Sequence, residues 1–381
     1  MYIWQSDLWP QFSFDESVIS KKLNEVAQAK QRLLDYSTSL PQPIDKEAQM
    51  DALLQNAIRT SQIEGEKLDV GSVRSSVAKQ LGLHTSGLKP STKQTDSLVA
   101  MLVLATENLD NPLTVETLCE WQALLFPEPP LLGSLILGEL RGNEPMQVIS
   151  YRGRQQTVHF EAPPKSVLAN ELTRFIDWFN STDNKVHPLL KAGIAHLWFL
   201  TLHPFDDGNG RLARAITDRA LAQADKTSIR FYSLSATIEK YRNSYYDHLE
   251  LTQNLKAASQ ISSNNELDIT TWLIWFLDVL TETIEHGRFR IDRVLNKSKF
   301  WHKHSQTVLS ERQIKVLNRL LNNFGEEFND GINASKYQSL AKVSKATATR
   351  DLTELVTKDC LIKLDKGGRS TRYQVKLATQ K

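Results

Sequence analysis

The chain has 381 residues, 40% of them apolar, and 46 Lys and Arg against 44 Asp and Glu, for a formal charge of +2. That balance fits a soluble globular protein of two or three domains, without fixed-period repeats or low-complexity tracts. No run of about 18 apolar residues suits a membrane span, the Met1-Tyr2-Ile3-Trp4-Gln5 start lacks the form of a signal peptide, and Cys119 and Cys360 stand far apart without metal spacing. The expectation is a cytoplasmic protein with no membrane partner.

Along the chain the pattern is mostly helical, so the predicted fold class is mainly α. The opening segment, 2–12, is aromatic and extended, with side chains expected to pack on the body. Amphipathic spacing predicts helices over 18–34, 47–64, 95–109, 115–125, 166–180 and 268–291. In the second of these, Met50, Leu53, Leu54, Ala57 and Ile58 form an apolar side, and Gly65 is a helix stop. Thr60 and Glu64 lie four apart, hence on one face; alone, they read as a surface helix end. Residues 80–92 and 126–146 gather Pro and Gly and read as loops. Residues 147–160 read as two short strands around a Gly-containing turn, ended by Ala162-Pro163-Pro164.

Residues 191–202 are apolar and helix-like, and 211–224 read as a helix rich in Ala, Leu and Arg. Between them, Pro204 disfavours helix at His203, so the chain turns there. Gly208-Asn209-Gly210 then falls where a helix begins, with unpaired N–H groups and the positive dipole end favouring an anion. The glycines allow close backbone approach, and Asn209 adds an amide donor. Arg211 and Arg214 share a face and can hold phosphate oxygens. Asp207 suits a magnesium ion that bridges phosphates, and His203 can take a proton from an attacking hydroxyl. Singly, each has a structural reading: a core histidine, helix-start acids at Asp206 and Asp207, a solvated arginine face. Together they suit transfer of a phosphate-linked group from a nucleotide to a hydroxyl.

This stretch, His203 to Arg214, resembles the Fic family signature, His-Pro-Phe-x-(Asp or Glu)-Gly-Asn-Gly-Arg-x-x-Arg, at every defined position. The resemblance implies a Fic-type helical core, ATP as substrate and Mg2+ as cofactor. It makes His203 the base and Asp207 the metal ligand. Gly208, Asn209, Gly210 and Arg211 would hold the α- and β-phosphates, and Arg214 the γ-phosphate; Asp206 falls on the variable position. Thr60-Ser61-Gln62-Ile63-Glu64-Gly65 is similar to the family's inhibitory motif, (Ser or Thr)-x-x-x-Glu-(Gly or Asn), which implies that Glu64 denies Arg214 to the γ-phosphate. In some relatives the same Glu positions a water that removes AMP. The 147–160 hairpin looks like the family's flap, which pairs with a target segment; Val148, Ile149, Ser150 and Tyr151 would also line the nucleotide, and the alternative is a plain surface hairpin. Residues 234–249 look like the helix after the core. Tyr245 and Gln253 fall where relatives contact adenine, the alternatives being packing for Tyr245 and solvent exposure for Gln253.

Residues 291–381 carry 18 Lys and Arg against 9 Asp and Glu, a net of +9 that leaves −7 on residues 1–290. A basic segment on an acidic body suggests a separate role, with nucleic acid the first candidate. Residues 308–377 look like a winged helix-turn-helix. Its helices are expected over 311–321, 335–341 and 344–358, and its strands over 361–364 and 371–375, around a basic wing at 365–370. Lys345, Thr347, Thr349 and Arg350 open the recognition helix. The alternative is protein contact or homodimer formation. The expected domains are 1–90, holding the inhibitory helix, 91–290, the Fic core, and 291–381. The expected function is AMP transfer to a Ser, Thr or Tyr hydroxyl of a target protein or of the chain itself, restrained by Glu64. The alternatives are a de-AMPylating phosphodiesterase and a nucleotide-sensing DNA-binding regulator.

Overall fold

The computed structural model describes residues 1–37, 42–83, 87–128, 135–153, 155–182, 185–226, 231–255, 267–322, 328, 330–364 and 371–377; the side chains of 36–37, 42–45, 151–152 and 155 lie outside it. The wing at 365–370 falls outside the described residues. The chain divides into two compact units, Met1–Thr38 with Gln49–Gly287, and Ser39–Ala48 with Arg288–Lys381.

The first unit is mainly helical: α1 (Glu16–Ser37), α2 (Gln42–Ile63) from Gln49 onward, α3 (Val70–Gln80), α4 (Lys93–Thr106), α5 (Val115–Leu124), α6 (Lys165–Asn180), α7 (Pro188–Leu202), α8 (Asn209–Asp225), α9 (Leu234–Lys240), α10 (Arg242–Gln253) and the start of α11 (Thr270–Lys303). Strand β1 (Phe12–Ser13) pairs in parallel with β4 (Leu267–Asp268), and β2 (Gln147–Arg152) pairs antiparallel with β3 (Gln155–Glu161). No described helix is long and apolar enough to cross a membrane.

Side-chain caps start several helices: Asp69, Thr92, Thr114 and Ser233 each accept a backbone N–H in the first turn of α3, α4, α5 and α9. Helix α3 was not foreseen, although Asp69 followed by Val70, Val73 and Val77 carries a cap and an apolar stripe. The single helix expected over 234–249 is two, broken at Tyr241.

Helix α7 is the core of this unit. From Leu189 to Leu202 only Lys191 is not buried, and α6 and α8 pack against it. All-round burial explains its uniformly apolar sequence. The opening segment packs as expected: Ile3 and Trp9 are buried, Trp9 Nε1 donates to Glu171 (2.7 Å), and Trp9 and Phe12 meet Trp198 edge-on.

The second unit holds α12 (Glu311–Asn322), α13 (Ala334–Ala341), α14 (Lys345–Thr357) and an antiparallel pair, β5 (Leu361–Lys363) and β6 (Tyr373–Val375), with a further bridge between Ile332 and Tyr373. Val316, Leu320, Tyr337, Leu352, Leu355 and Leu361 share its core. Asp351, almost fully buried, accepts from Arg312 Nε and Nη2 (2.7 and 3.0 Å) and from the Tyr337 hydroxyl (3.0 Å).

Candidate active site

The α7–α8 connection is built around His203. Its backbone is left-handed (φ 46°), where a β-carbon is strained, and it caps α7 before Pro204. Arg141, fully buried, clamps the turn. Its Nε donates to His203 O (2.8 Å), Nη2 to Pro163 O, and its backbone N to Pro204 O (3.0 Å). His203 Nδ1 lies 3.2 Å from Leu200 O. A carbonyl only accepts, so Nδ1 carries the proton and Nε2 keeps its lone pair. Burial is the main influence on the imidazole pKa and lowers it; Leu200 O raises it, Arg141 lowers it, Glu64 and Asp207 raise it, and the net shift is downward.

Helix α8 begins at Asn209 with Gly208 as its left-handed cap (φ 92°); a β-carbon there would lie 2.9 Å from Leu125 Cδ1. The first helical bond runs from Leu212 N to Gly208 O (3.0 Å), so Asn209, Gly210 and Arg211 N–H have no acceptor within the helix. The Asn209 side chain corrects the expectation of a phosphate donor. It is 2% exposed, Nδ2 donates to Phe205 O (2.7 Å) and Oδ1 accepts from Phe205 N (3.0 Å). Its amide shapes the loop, leaving only its backbone N–H for an anion.

Asp207 is exposed, accepts from Gly208 N (2.6 Å) and lies 3.8 Å from Arg211 Nη2. Among the described residues no three His, Cys, Asp or Glu side chains gather around a metal position. A single outward carboxylate fits magnesium, which takes its other oxygens from phosphates and water. Asp206 has a structural task, accepting from Ile136 N (3.1 Å).

Two carboxylates hold the two arginines of the first turns of α8, Arg211 and Arg214. Arg214, 2% exposed, donates from Nη2 to Glu64 Oε1 (2.6 Å) and Thr60 O (3.1 Å), and from Nε to Thr60 Oγ1 (2.8 Å). Arg211 Nη1 donates to Glu66 Oε1 (3.0 Å) while its guanidinium covers the Phe126 ring at 5.0 Å. The end of α2 explains both contacts. Glu66 N bonds Ser61 O (2.9 Å), Gly65 N bonds Gln62 O (3.0 Å), and Gly65 takes φ 85°. This pair of bonds is a Schellman motif, which turns the chain just after Glu64 and brings Glu66 back.

Glu64 Oε1 lies so close to the backbone of α8 that a β-carbon on Gly210 would collide with it. Burial pushes the Glu64 carboxyl up, but Arg214, then Arg211 and His203, outweigh it and hold it below its ordinary range. A carboxylate therefore sits at the helix start beside Arg214. Arg214 Nη1 and Arg211 Nε are buried without a hydrogen-bond partner among the described residues. Those donors, with the first-turn N–H groups, fit a polyphosphate.

Residues 112–221 match the family model described as Fic/DOC family, and residues 2–83 match a domain of unknown function, DUF4172. The chain carries a Fic domain. A Nematostella vectensis protein adenylyltransferase Fic is 33% identical over 109 residues, 28% of this chain and 24% of that protein. The Culex quinquefasciatus protein of the same name is 22% identical over 244 residues, 63% of this chain, and the match spans 42% of that relative's length. A Fic family protein from Desulfovibrio desulfuricans has the same fold, with TM-score 0.53, 18% identity and coverage of 98% of this chain and 99% of that one. A Fic domain containing signaling protein from Bacteroides thetaiotaomicron gives TM-score 0.52 at 18% identity, over 72% of this chain and 97% of that one.

The β2–β3 hairpin stands where the flap resemblance places it in sequence. Val148 and Ile149 are exposed (40% and 38%), and Ser150 is exposed; the Tyr151 side chain lies outside the described residues. Tyr245 is 1% exposed, stacked among Trp272, Trp275 and Tyr246, which matches packing rather than an open adenine contact. Its hydroxyl meets His196 Nε2 (2.8 Å). The Thr217 hydroxyl donates to Ala213 O (2.7 Å), so it accepts from His196 Nδ1 (2.8 Å) and Tyr245 donates to Nε2. Burial, with Arg214 nearby, pushes His196 down to about 3. Gln253 is buried, not solvent-exposed, and donates to Thr201 (3.0 Å).

Four residues at this Fic site were missed. They are Arg141, Glu66, Phe126 and Gln122; Gln122 reaches Asp207 O (3.3 Å) and accepts from Gly138 N (2.6 Å). Only Glu66 had a usable signal, a second carboxylate just past the helix stop.

Proposed function

We propose that this Fic site transfers AMP from ATP to a serine, threonine or tyrosine hydroxyl of a target protein, and that Glu64 restrains it. The observation that carries the reading is the Glu64 carboxylate on Arg214 over Gly210, an anion already held in an anion cradle. The names of the relatives support transfer of an adenylyl group. Nucleotide phosphates at the start of α8 would use the backbone N–H groups of 209–211, Arg211 Nε and Arg214 Nη1. Asp207 would hold magnesium, which supplies charge neutralisation at the phosphates. His203 Nε2 accepts the target hydroxyl's proton, positioned by Arg141 and Leu200 O. With Glu64 in place, Arg214 cannot give its full fork to a γ-phosphate. A part-buried carboxylate–guanidinium contact of this kind can bias the site by ~3 kcal/mol, or ~150-fold in population. Glu64→Gly is expected to raise transfer from α-labelled ATP by about that factor. Unchanged transfer, or loss of an AMP-removing activity instead, would count against the brake.

For residues 308–377 the reading is a winged helix-turn-helix that meets duplex DNA through α14. Lys345 and Arg350 are exposed on that helix and form no ion pair with described residues, while Asp351 turns inward and Glu354 is engaged by Gln313 and Lys358. The face left to a partner is cationic.

A further inference from the structure

Helix α14 has one buried side and one open side. Ala348, Asp351, Leu352 and Leu355 turn inward, while Lys345, Ala346, Thr349, Arg350, Thr353 and Thr357 are exposed. At about 100° per residue, Ala346, Thr349, Thr353 and Thr357 fall within ~80° of one another, opposite the buried side. Lys345 lies beyond one margin of this row and Arg350 beyond the other.

Each threonine hydroxyl of the row is committed within the helix. Thr349 Oγ1 donates to Lys345 O (3.0 Å), Thr353 Oγ1 to Thr349 O (3.0 Å) and Thr357 Oγ1 to Thr353 O (3.2 Å). A hydroxyl has a single proton, so these three still accept but no longer donate. What they add to the open side is a methyl each, and Ala346 supplies another. Thr347 is not part of the row, since its hydroxyl meets Ser344 Oγ (3.0 Å) at the helix cap. A face of methyls and acceptors is selective among base pairs. Guanine offers the major groove only acceptors, N7 and O6, which such a face cannot satisfy. An A·T pair offers the thymine C5-methyl for apolar contact and the adenine N6–H2 group as a donor. Cytosine N4 also donates, but cytosine carries no methyl. The row is ~16 Å long, about five base steps of ~3.4 Å each.

We infer that α14 reads thymine C5-methyl groups in the major groove through Thr349, Thr353 and Thr357, with Lys345 and Arg350 on the flanking phosphates. The inference rests on the reading of residues 308–377 as a duplex-DNA binder. It adds the class of sequence, A·T-containing sites, and the group that is recognised. The cations supply attraction that is blind to sequence, and the methyl row supplies the choice.

The test measures binding of the full chain, at one low salt concentration, to a duplex of alternating A and T and to the same duplex with deoxyuridine in place of thymidine. That exchange removes only the C5-methyl. Affinity is expected to fall ~10-fold, as the loss of two buried methyls implies. Thr349→Ser/Thr353→Ser/Thr357→Ser keeps the hydroxyls and loses the methyls. It should bind the deoxyuridine duplex as the unaltered chain does and show no preference for thymidine. Thr349→Val/Thr353→Val/Thr357→Val, which keeps a methyl at each position, should retain the preference. Equal binding of the two duplexes by the unaltered chain overturns the inference and leaves the DNA reading standing. A preference that survives the serine variant overturns the assignment to these threonines. No binding to either duplex removes the inference together with the reading it rests on.

Discussion

His203 shows how a single side chain is set for its task. Burial and Arg141 favour the neutral ring, against Leu200 O, Glu64 and Asp207, and the balance lies below the ordinary 6.5. A lowered pKa keeps the lone pair available at lower pH, so the acid limb of transfer is expected below pH 6.5. Glu64 is one of the groups that raise this pKa, so its removal moves the limb lower still. A pH–rate profile of Glu64→Gly with a limb at or above 6.5 would contradict this account of the base. Asn209 makes a prediction about stability. Asn209→Ala leaves the buried Phe205 N–H and C=O unpaired, which costs ~3 kcal/mol and should lower the denaturation midpoint; an unmoved midpoint argues against the loop-shaping role. The signature was legible because its parts are contiguous and each type has one obvious chemistry. The Asn209 amide was misread because its competitor is the backbone four residues earlier, which no spacing rule reveals. Arg141 was invisible for a similar reason, since its acceptors lie 22 and 62 residues away.

At the scale of elements, the turn after α2 does the restraining. One Schellman motif aims Glu64 at Arg214 and Glu66 at Arg211, so the brake has two contacts of unequal length, 2.6 Å and 3.0 Å. Glu66→Ala is expected to raise transfer ~10-fold, as a charge-assisted bond of ~1.5 kcal/mol implies, and less than Glu64→Gly does. An effect equal to or greater than that of Glu64→Gly, measured side by side, would make the turn rather than the Arg214 contact the controlling feature. Helix positions followed from apolar spacing in most segments, since α1, α2 and α4 to α8 each bury one side or all sides. Helix α3 escaped because Ser and Gly fill much of it and its stripe is only three valines. The break at Tyr241 escaped because 234–249 carries a helical composition throughout; what divides it is the backbone of Tyr241 (φ −107°, ψ 31°), which ends one helix and starts the next.

The whole molecule joins an acidic N-terminal portion to a basic C-terminal one, and the two compact units divide near the same place, at Gly287. That charge asymmetry was plain in the sequence, whereas the inclusion of Ser39–Ala48 in the second unit was not, because it depends on long-range packing. If α14 meets DNA, the full chain should bind duplex with an affinity that falls steeply between low and moderate salt. Lys345→Ala/Arg350→Ala should weaken binding and flatten that slope. Salt-independent binding, or none, would assign this unit to protein contact. The central claim concerns the Fic site, and one comparison tests it most directly. Wild type, Glu64→Gly and Glu64→Gly/His203→Ala are incubated with α-labelled ATP, magnesium and host lysate, and label on lysate proteins is read. The account predicts faint label with wild type, strong label with Glu64→Gly and none with the double variant. Lysate labelling that ignores Glu64, or that survives loss of His203, would contradict it.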